Sequence, residues 1–347
     1  MQGINRLRRI ARTIRNKFVS SKALVLVYHR VNEVMTDPQL LCVSPKNFAE
    51  HLDVLQKNYK PMKLQNLAQT FQSRFIPRRM VAVTFDDGYA DNLYKAKPLL
   101  ERYEVPATVF VTTGYVGMRR EFLWDELDRL LLQPGTLPEK LTLEINGKMH
   151  EWSLDSAKHY SRDAYQYHRS WNVLEENNSG PRQRLYRSLC ALLNLLPTEE
   201  IQKVIGKLNI WANVRPMGRL SHRILMEEEI SHLDASDFME VGSHTVSHPN
   251  LSTLPVNVQE IEINKSKQYL EDIVGHPVTT FSYPYGSPTD YTAKTVKIVQ
   301  ESGFECACSN FADVVWRGSD RFQLPRVLVR NWDGDEFAKQ LGMWLHD

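Results

Sequence analysis

The stretch Val81-Ala82-Val83-Thr84-Phe85-Asp86-Asp87-Gly88-Tyr89-Ala90-Asp91-Asn92 decides the fold. Its first half is an apolar, β-prone run that stops at two adjacent carboxylates and a glycine. Runs that are apolar at every position are typical of strands buried on both faces of a parallel sheet. Functional residues in such folds collect beyond the carboxyl ends of the strands, so Asp86 and Asp87 are predicted to lie in a site.

Strands and helices alternate on both sides of this stretch. An all-apolar run at 23–28 ends at His29, and Ser44-Pro45 predicts the start of a helix. The further predicted strands are 107–112, 238–242, 279–283, 304–309 and 325–329, and the helices are 93–103, 256–274, 289–302 and 334–345. About seven strands with intervening helices favour an α/β fold, a distorted (β/α)7-type barrel, over an open sheet.

The alternation breaks between about residues 118 and 225. Here Asn146-Gly147 separates 141–145 from 148–152, which predicts a β-hairpin with a two-residue turn. Helices are predicted at 185–196 and 199–208. We interpret this stretch as a mostly helical insertion in a single domain spanning residues 23–347. Two roles are open for it, shaping a substrate cleft or stabilising the barrel.

The composition and charge limit the classes of function. The 347 residues are 42% hydrophobic and 24% charged, as in ordinary globular proteins, and the formal net charge of +2 is too small to indicate nucleic acid binding. Residues 1–22 hold seven Lys or Arg and no acid, with apolar residues at helical spacing. This segment is either a basic amphipathic helix on an anionic membrane surface or a solvated N-terminus.

The sequence also predicts where in the cell the protein is located. It has no apolar run of the roughly 18 residues that a membrane-spanning helix needs, and its N-terminus lacks the apolar core of a secretory signal. We therefore expect a cytoplasmic protein, at the inner face of the membrane if residues 1–22 bind there. Four cysteines are too few for a disulfide framework, and we expect reduced core residues at Cys42, Cys190, Cys306 and Cys308.

A pair of histidines is the second candidate for chemistry. In Gly242-Ser243-His244-Thr245-Val246-Ser247-His248-Pro249, a spacing of four places two imidazoles on one side of a helical turn, where both could ligate one ion. With 11 His in the chain, chance alone gives roughly 0.34 such pairs, so the pair by itself is weak evidence.

The adjacent aspartates supply independent support for a metal. Two anionic groups at the end of a buried strand repel one another. A divalent cation bound by one of them relieves that repulsion and leaves the other free as a base. The alternative is that Asp86 or Asp87 merely caps the helix that follows.

Together these motifs resemble those of the polysaccharide deacetylases of the NodB-like class, carbohydrate esterase family four. Thr84-Phe85-Asp86-Asp87-Gly88 is similar to the first family motif, and residues 244–249 fit the second, H-[ST]-x-x-H-P. Residues 106–110 and 281–286 are also similar to family segments. The resemblance covers about residues 23–117 and 226–340.

The resemblance implies a metal-dependent hydrolase that removes N-acetyl groups from amino-sugar residues of an oligosaccharide, polysaccharide or glycolipid precursor. Asp87, His244 and His248 would hold a divalent ion, with Zn²⁺ the usual occupant, in a set with the open positions of a catalytic site. Asp86 would remove the proton of the attacking water. The backbone N–H of Tyr285 would help to hold the oxyanion.

Two alternatives to this function remain at the level of sequence. One is a deformylase or amidase that acts on another small amide with the same site. The other is a catalytically silent carbohydrate-binding protein that keeps the barrel.

The proton donor to the leaving amine has two candidates. Val27-Tyr28-His29-Arg30-Val31 resembles the first motif of circularly permuted members, in which that histidine is the acid. Leu345-His346-Asp347 resembles the family's C-terminal motif, but His346 follows a helical pattern and not a buried strand. We prefer His29 for that reason. A core histidine bonded to backbone is the alternative.

One departure from the family concerns the base. Many members carry Arg two residues before the Pro of the third motif, where this chain has Ser282. Without that cation the pKa of Asp86 would rise, unless another charge replaces it. Arg326, at the start of the last strand, is our candidate, and Asp333 or Asp335 are candidates for orienting the catalytic histidine.

Overall fold

The computed structural model describes residues 22–71, 77–175 and 180–345. The strands in chain order are β1 (Ala23–Tyr28), β2 (Arg30–Val31), β3 (Cys42–Val43), β4 (Lys60–Pro61), β5 (Met80–Phe85), β6 (Ala107–Val111), β7 (Gly135–Thr136), β8 (Lys140–Ile145), β9 (Lys148–Ser153), β10 (His159–Tyr160), β11 (Met239–Ser243), β12 (Thr280–Ser282), β13 (Cys306–Cys308) and β14 (Val327–Leu328). The α-helices are Pro45–Asn58, Leu64–Thr70, Lys97–Arg102, Leu123–Leu131, Arg162–His168, Pro181–Leu193, Thr198–Trp211, Glu227–Asp234, Val256–Val274, Ala293–Glu301 and Gly334–Leu345.

A curled parallel sheet forms the centre of the molecule. Its strands follow the order β13-β12-β11-β6-β5-β1-β14, and β4 pairs with the beginning of β5. Each of these pairings is parallel. Within the described residues no ladder joins β13 to β14, so the sheet is a half-barrel with one open seam. The predicted α/β barrel architecture is confirmed in this open form.

Strand register places the predicted functional residues at one rim. Tyr28, the last residue of β1, lies opposite Phe85, the last residue of β5. The residues that follow them, His29 and Asp86, therefore lie at the same level of the sheet. Ser243, the last residue of β11, lies opposite the end of β6. The carboxyl ends of the central strands therefore meet on one side of the sheet.

Among the helices predicted outside the insertion, boundaries differ from the sequence expectation in two places. The helix predicted from residue 289 begins only at Ala293, because the Thr292 side chain caps it by accepting the N–H of Thr295. The segment after the aspartate pair starts as a π-helix, Asn92–Ala96, before the α-helix Lys97–Arg102. By contrast, Ser44 caps the helix Pro45–Asn58 as predicted.

The segment between β6 and β11 has a hydrophobic core of its own. Its buried members include Leu127, Leu131, Tyr186, Leu189 and Leu208. The predicted hairpin is present as β8 and β9, joined by Asn146 and Gly147 at φ 53° and 70°. Positive φ at both central residues is the signature of a type I′ turn. The separate core supports the interpretation of residues 118–225 as an insertion, which stays a prediction.

The remaining sequence predictions concern the four cysteines, membrane-spanning helices and the contact of residues 1–22 with a membrane. The four cysteines are buried and unpaired. In the part of the chain that the structure describes, none of the helices combines the length and apolarity that crossing a bilayer would require. The predicted membrane contact of residues 1–22 falls, apart from Lys22, outside the described residues. That contact and the cytoplasmic location stay predictions.

The helix Pro45–Asn58 buries a histidine that hydrophobic patterning did not mark. The His51 ring stacks on Phe337 with the centroids 4.0 Å apart. Its Nε2 donates to the carbonyl oxygen of Trp332 at 2.8 Å, which leaves Nδ1 to accept the Tyr28 hydroxyl at 3.2 Å. Burial lowers the pKa of His51 to about 4, because the imidazolium would lose its hydration.

Stability should therefore depend on His51 below neutral pH. The unfolded chain binds this proton near pH 6.5. Stability is then fully present above that pH and falls as the pH drops toward 4, by about 2 kcal/mol between pH 7 and pH 5. Urea unfolding at both pH values should show a smaller pH dependence for His51→Gln than for the native chain. The exposed His232→Gln serves as control, and equal pH dependence of the native and His51→Gln proteins would contradict the prediction.

Candidate metal centre and substrate cleft

Residues that follow four of the central strands converge on one cleft of about 280 Å³. His29 follows β1, Asp86 and Asp87 follow β5, and His244 follows β11. Tyr285 lies in the loop after β12 and also lines the cleft. The structure thus brings these predicted residues together.

Three side chains form a candidate metal site. Asp87 Oδ1 lies 3.6 Å from Nε2 of His244 and 3.5 Å from Nε2 of His248. One ligand atom from each of the three lies within 4.8 Å of the others, and all three side chains are buried. Two imidazoles and one carboxylate are donors that suit Zn²⁺ and similar divalent ions.

Two observations show that these residues fit a cation. Asp87 Oδ2 is buried and has no hydrogen-bond partner among the described residues, and burial raises the pKa of this carboxyl, with Asp86 adding to the effect. The Nδ1–H of His244 donates to the carbonyl oxygen of Ser282 at 2.7 Å. That bond fixes the tautomer in which the Nε2 lone pair faces Asp87, as in metal-ligating histidines.

The backbone around the candidate ligands is strained. Asp87, Thr245, His248 and Tyr285 all have φ between 57° and 75°, a region that non-glycine residues rarely adopt. Such outliers cluster at functional sites, where the surrounding structure holds them in place. Gly88 shares this conformation at φ 78°, and a Cβ there would lie 3.1 Å from the Val111 side chain.

The helical turn predicted for the histidine pair is wrong. Residues 244–250 form an irregular bend, in which the His248 N–H donates to the Thr245 hydroxyl at 3.1 Å. The left-handed residues Thr245 and His248 bend the loop so that both rings still reach Asp87. A spacing of four therefore brings the ligands together through a loop.

Asp86 forms a buried, bidentate ion pair with Arg326. The guanidinium Nη1 and Nη2 lie 2.7 and 2.6 Å from the two carboxylate oxygens. Nη2 also donates to the Ser282 hydroxyl at 2.9 Å, and Nε to the Ser309 carbonyl oxygen at 2.7 Å. Burial alone would raise the pKa of Asp86, but Arg326 outweighs it and lowers that pKa below its usual range.

His29 lies at the cleft with an unsatisfied ring nitrogen. Its Nδ1 is buried and has no partner in the described part of the chain. Burial lowers the pKa of His29 to about 4, while the negative charge of Asp86 acts in the opposite direction. Its role as acid and the circular permutation stay predictions, and the competing His346 lies outside the described residues.

The two aspartates proposed to orient the histidine are placed elsewhere. Asp333 Oδ1 accepts the N–H of Glu336 at 2.9 Å and so caps the last helix. Asp333 and Asp335 line a separate surface groove with Glu50, and neither lines the cleft. The orienting role is therefore wrong for both, because Asp333 caps the last helix and Asp335 lies in its first turn, away from the cleft.

Several residues that line the walls of the cleft were not predicted from the sequence. Four of the additional residues come from the segment between β6 and β11, namely Trp124, Val173, Cys190 and Asn194. The Trp124 ring packs edge-on against His248 with centroids 5.5 Å apart, and the Tyr285 hydroxyl donates to Asn194 Oδ1 at 3.2 Å. No motif marks these residues, because their contribution depends on how the segment packs. Their position favours the cleft-shaping role of the insertion.

Comparison with known proteins gives sequence matches to a family model and to individual proteins. Residues 76–188 and 180–307 match the family model described as polysaccharide deacetylase. The protein YxkH of Bacillus subtilis (strain 168) is 32% identical over 133 residues, which make up 37% of this chain and 46% of that protein. A poly-beta-1,6-N-acetyl-D-glucosamine N-deacetylase of Staphylococcus aureus (strain MSSA476) is 28% identical over 114 residues, 29% of this chain and 39% of that protein. The matched parts thus span less than half of either relative.

Solved structures show the same fold over most of the chain. IcaB from Ammonifex degensii superimposes with a TM-score of 0.57 at 19% identity, covering 94% of this chain and 98% of that one. The Streptococcus pyogenes deacetylase PplD superimposes with a TM-score of 0.53 at 16% identity, covering 92% and 97%. With a family model that matches more than half of its length, this chain belongs to the polysaccharide deacetylase family.

Proposed function

We propose that this protein is a metal-dependent hydrolase that removes N-acetyl groups from amino-sugar residues of a polysaccharide or glycolipid precursor. The observation that carries the proposal is the position of three candidate metal ligands beside a buried Asp–Arg pair in one cleft. The family and the N-deacetylase among its relatives support the choice of reaction.

Asp87, His244 and His248 would hold the divalent ion, with Zn²⁺ the simplest occupant of this donor set. When bound, such an ion supplies Lewis acidity, which polarises an acyl oxygen and lowers the pKa of water. The unpartnered Oδ2 of Asp87 and the fixed tautomer of His244 are the features of this chain that favour it.

Asp86 is the proposed base. Arg326 holds its carboxylate ionised, while each oxygen keeps a lone pair beyond the one that faces the guanidinium. Asp86 takes one proton from the water that attacks the acetamide carbon. Because the guanidinium fixes the carboxylate in place, the reacting geometry needs no rearrangement of the base.

Tyr285 and His29 complete the reaction. The backbone N–H of Tyr285 donates to no acceptor among the described residues, so it is free to stabilise the oxyanion of the tetrahedral intermediate. His29 gives a proton to the leaving nitrogen as the carbon–nitrogen bond breaks, and the products are acetate and the free amine. Burial destabilises the imidazolium of His29, which makes its protonated form a strong acid.

One observation weakens the alternative of a silent carbohydrate-binding protein. Its support from sequence was the serine at position 282, where many family members carry the arginine that pairs with the base. Arg326, the residue before β14, makes that ion pair instead, and Ser282 accepts a hydrogen bond from it. The charge arrangement that a catalytic base needs is therefore intact.

Metal removal should abolish activity. Asp87→Ala or treatment with EDTA should lower acetate release from N-acetylated oligosaccharides by more than the roughly 10–100-fold that outer-shell changes cost. Replacing acetyl by formyl donors in the same assay separates the deformylase alternative. Asp335→Ala, outside the cleft, is the matched control and should retain metal and activity. Turnover that survives both EDTA and Asp87→Ala would rule out the metal mechanism.

The Asp86–Arg326 pair should have separable effects on stability and activity. Arg326→Gln leaves a buried carboxylate without its counter-charge and should lower the free energy of unfolding by about 3 kcal/mol. Adding Asp86→Asn should recover most of that loss in urea unfolding, while acetate release stays low in both single variants and in the double variant. Full activity in the double variant would show that neither residue takes part in catalysis.

The identity of the acid can be decided by two matched variants. His29→Gln should lower kcat by about 10²–10⁴-fold, the usual contribution of a general acid. His346→Gln should leave kcat close to that of the native protein, because its sequence context is a helix. The reverse pattern in steady-state acetate release would assign the acid to His346.

A further inference from the structure

Arg330 is a charged side chain of the cleft that the proposed chemistry does not use. Its Nη1 donates to the carbonyl oxygens of Gln39 and Leu40 at 3.2 and 2.6 Å. Nη2 and Nε have no acceptor among the residues that the structure describes, and no carboxylate there lies within ion-pair distance. Arg330 is also the only Arg or Lys among the described residues that line the cleft.

The acid whose charge acts on Arg330, Asp37, accepts hydrogen bonds from other donors. The two carboxylate oxygens of Asp37 accept the backbone N–H groups of Leu41 and Cys42 at 2.9 and 2.8 Å. Asp37 acts on Arg330 only through its charge, and burial, the larger effect, lowers the pKa of the guanidinium. Arg330 is thus a half-buried cation without a paired anion, an arrangement that costs free energy in the free protein.

Arg326, unlike Arg330, has a carboxylate partner. Arg326 is fully buried, but its charge is matched by two short contacts to Asp86. The second aspartate of the cleft, Asp87, faces the two histidines of the candidate metal site. The described residues of the cleft therefore contain no anion that remains for Arg330, and a ligand could supply one.

We infer that Arg330 is a specificity-determining residue that binds an oxyanion, a carboxylate or phosphate, carried by the N-acetylated sugar or by the unit next to it. A guanidinium is planar and presents paired N–H donors that match the oxygens of either group. The cleft of about 280 Å³ lies at the small end of ligand pockets and suits roughly one sugar unit with its substituent. The inference rests on the proposed function and narrows its substrate class to anionic glycans.

Side chains near Arg330 are of the kinds that bind the uncharged part of a sugar. Gln39, Asn194 and Asn310 bring amide groups to the same cleft, which can bond sugar hydroxyls without selecting for charge. Leu41 and Leu328 add apolar contacts. Charge selection in this wall would therefore come from Arg330.

Matched pairs of compounds test the inference with the full chain. One pair is a tetramer of N-acetylglucosamine and a tetrasaccharide in which N-acetylglucosamine alternates with glucuronate. The other is N-acetylglucosamine and its 1-phosphate. In at least one pair, kcat/KM for acetate release should be about 10–100-fold higher for the charged member, as expected for a charge-assisted hydrogen bond. The responding pair identifies the oxyanion as carboxylate or phosphate.

Variants then assign the preference to the guanidinium. Arg330→Gln should reduce the charged-to-neutral ratio to near one, mainly by raising KM for the charged member, and Arg330→Lys should retain part of it. Arg119→Gln, which removes an exposed arginine outside the cleft, should keep the native ratio. Added salt should reduce the native preference as well.

Two outcomes would overturn the inference. Equal kcat/KM for both members of both pairs means that no oxyanion is recognised. An equal loss for charged and neutral members in Arg330→Gln, accompanied by a lower melting temperature, means that Arg330 only braces the loop at Gln39 and Leu40. If no compound releases acetate, the proposed function fails, and calorimetric binding of the same pairs decides the question. Tighter binding of a charged member that Arg330→Gln abolishes then supports the inference, and equal binding overturns it.

Discussion

The ion pair between Asp86 and Arg326 is the interaction on which the rest of the site depends. Burying two charges is costly, and their attraction offsets the cost only when the remaining donors are satisfied. Here the guanidinium also bonds Ser282 and Ser309, so it joins the ends of β5, β12 and β13 to the residue that precedes β14. β14 pairs with β1 over two residues only, and no ladder joins it to β13 in the described part of the chain. The Arg326 side chain thus adds a link across the seam, beside the backbone hydrogen bonds that Leu324 makes with Ala307 and Ser309.

The same ion pair separates the roles of two adjacent carboxyl groups. Arg326 outweighs burial and lowers the pKa of Asp86, whereas burial and the charge of Asp86 raise the pKa of Asp87. Asp87 also turns into the left-handed region, which aims its side chain at His244 and His248. Environments that push neighbouring pKa values apart are how sites assign different tasks to chemically identical groups. The repulsion that made the pair conspicuous in the sequence is relieved on the Asp86 side by Arg326, while Asp87 faces the two histidines of the candidate metal site.

The sequence predicted the centre of this site better than its walls. Apolar runs mark strands, and the carboxyl ends of strands mark His29, Asp86 and Asp87, so a one-dimensional pattern suffices for them. The need for a cation beside Asp86 pointed to Arg326, an argument from charge that does not depend on local conformation. The helical turn at His244 and His248 was wrong, but the ligands still meet because a loop with left-handed residues achieves the same approach. Asp333 failed because it caps the last helix, and the position of that helix relative to the cleft depends on tertiary packing.

The residues that form the cleft walls could not be predicted because no motif marks them and their position depends on how the insertion packs. Trp124 packs on a candidate ligand, His248, while Asn194 accepts the hydroxyl of Tyr285, the residue whose backbone N–H faces the developing oxyanion in the proposed mechanism. The segment between β6 and β11 therefore contacts both the candidate metal site and Tyr285. A shift of this segment's core would therefore move groups that the proposed chemistry needs to be fixed within a fraction of an ångström. Under the proposed function, these buried contacts would couple substrate choice to catalytic geometry.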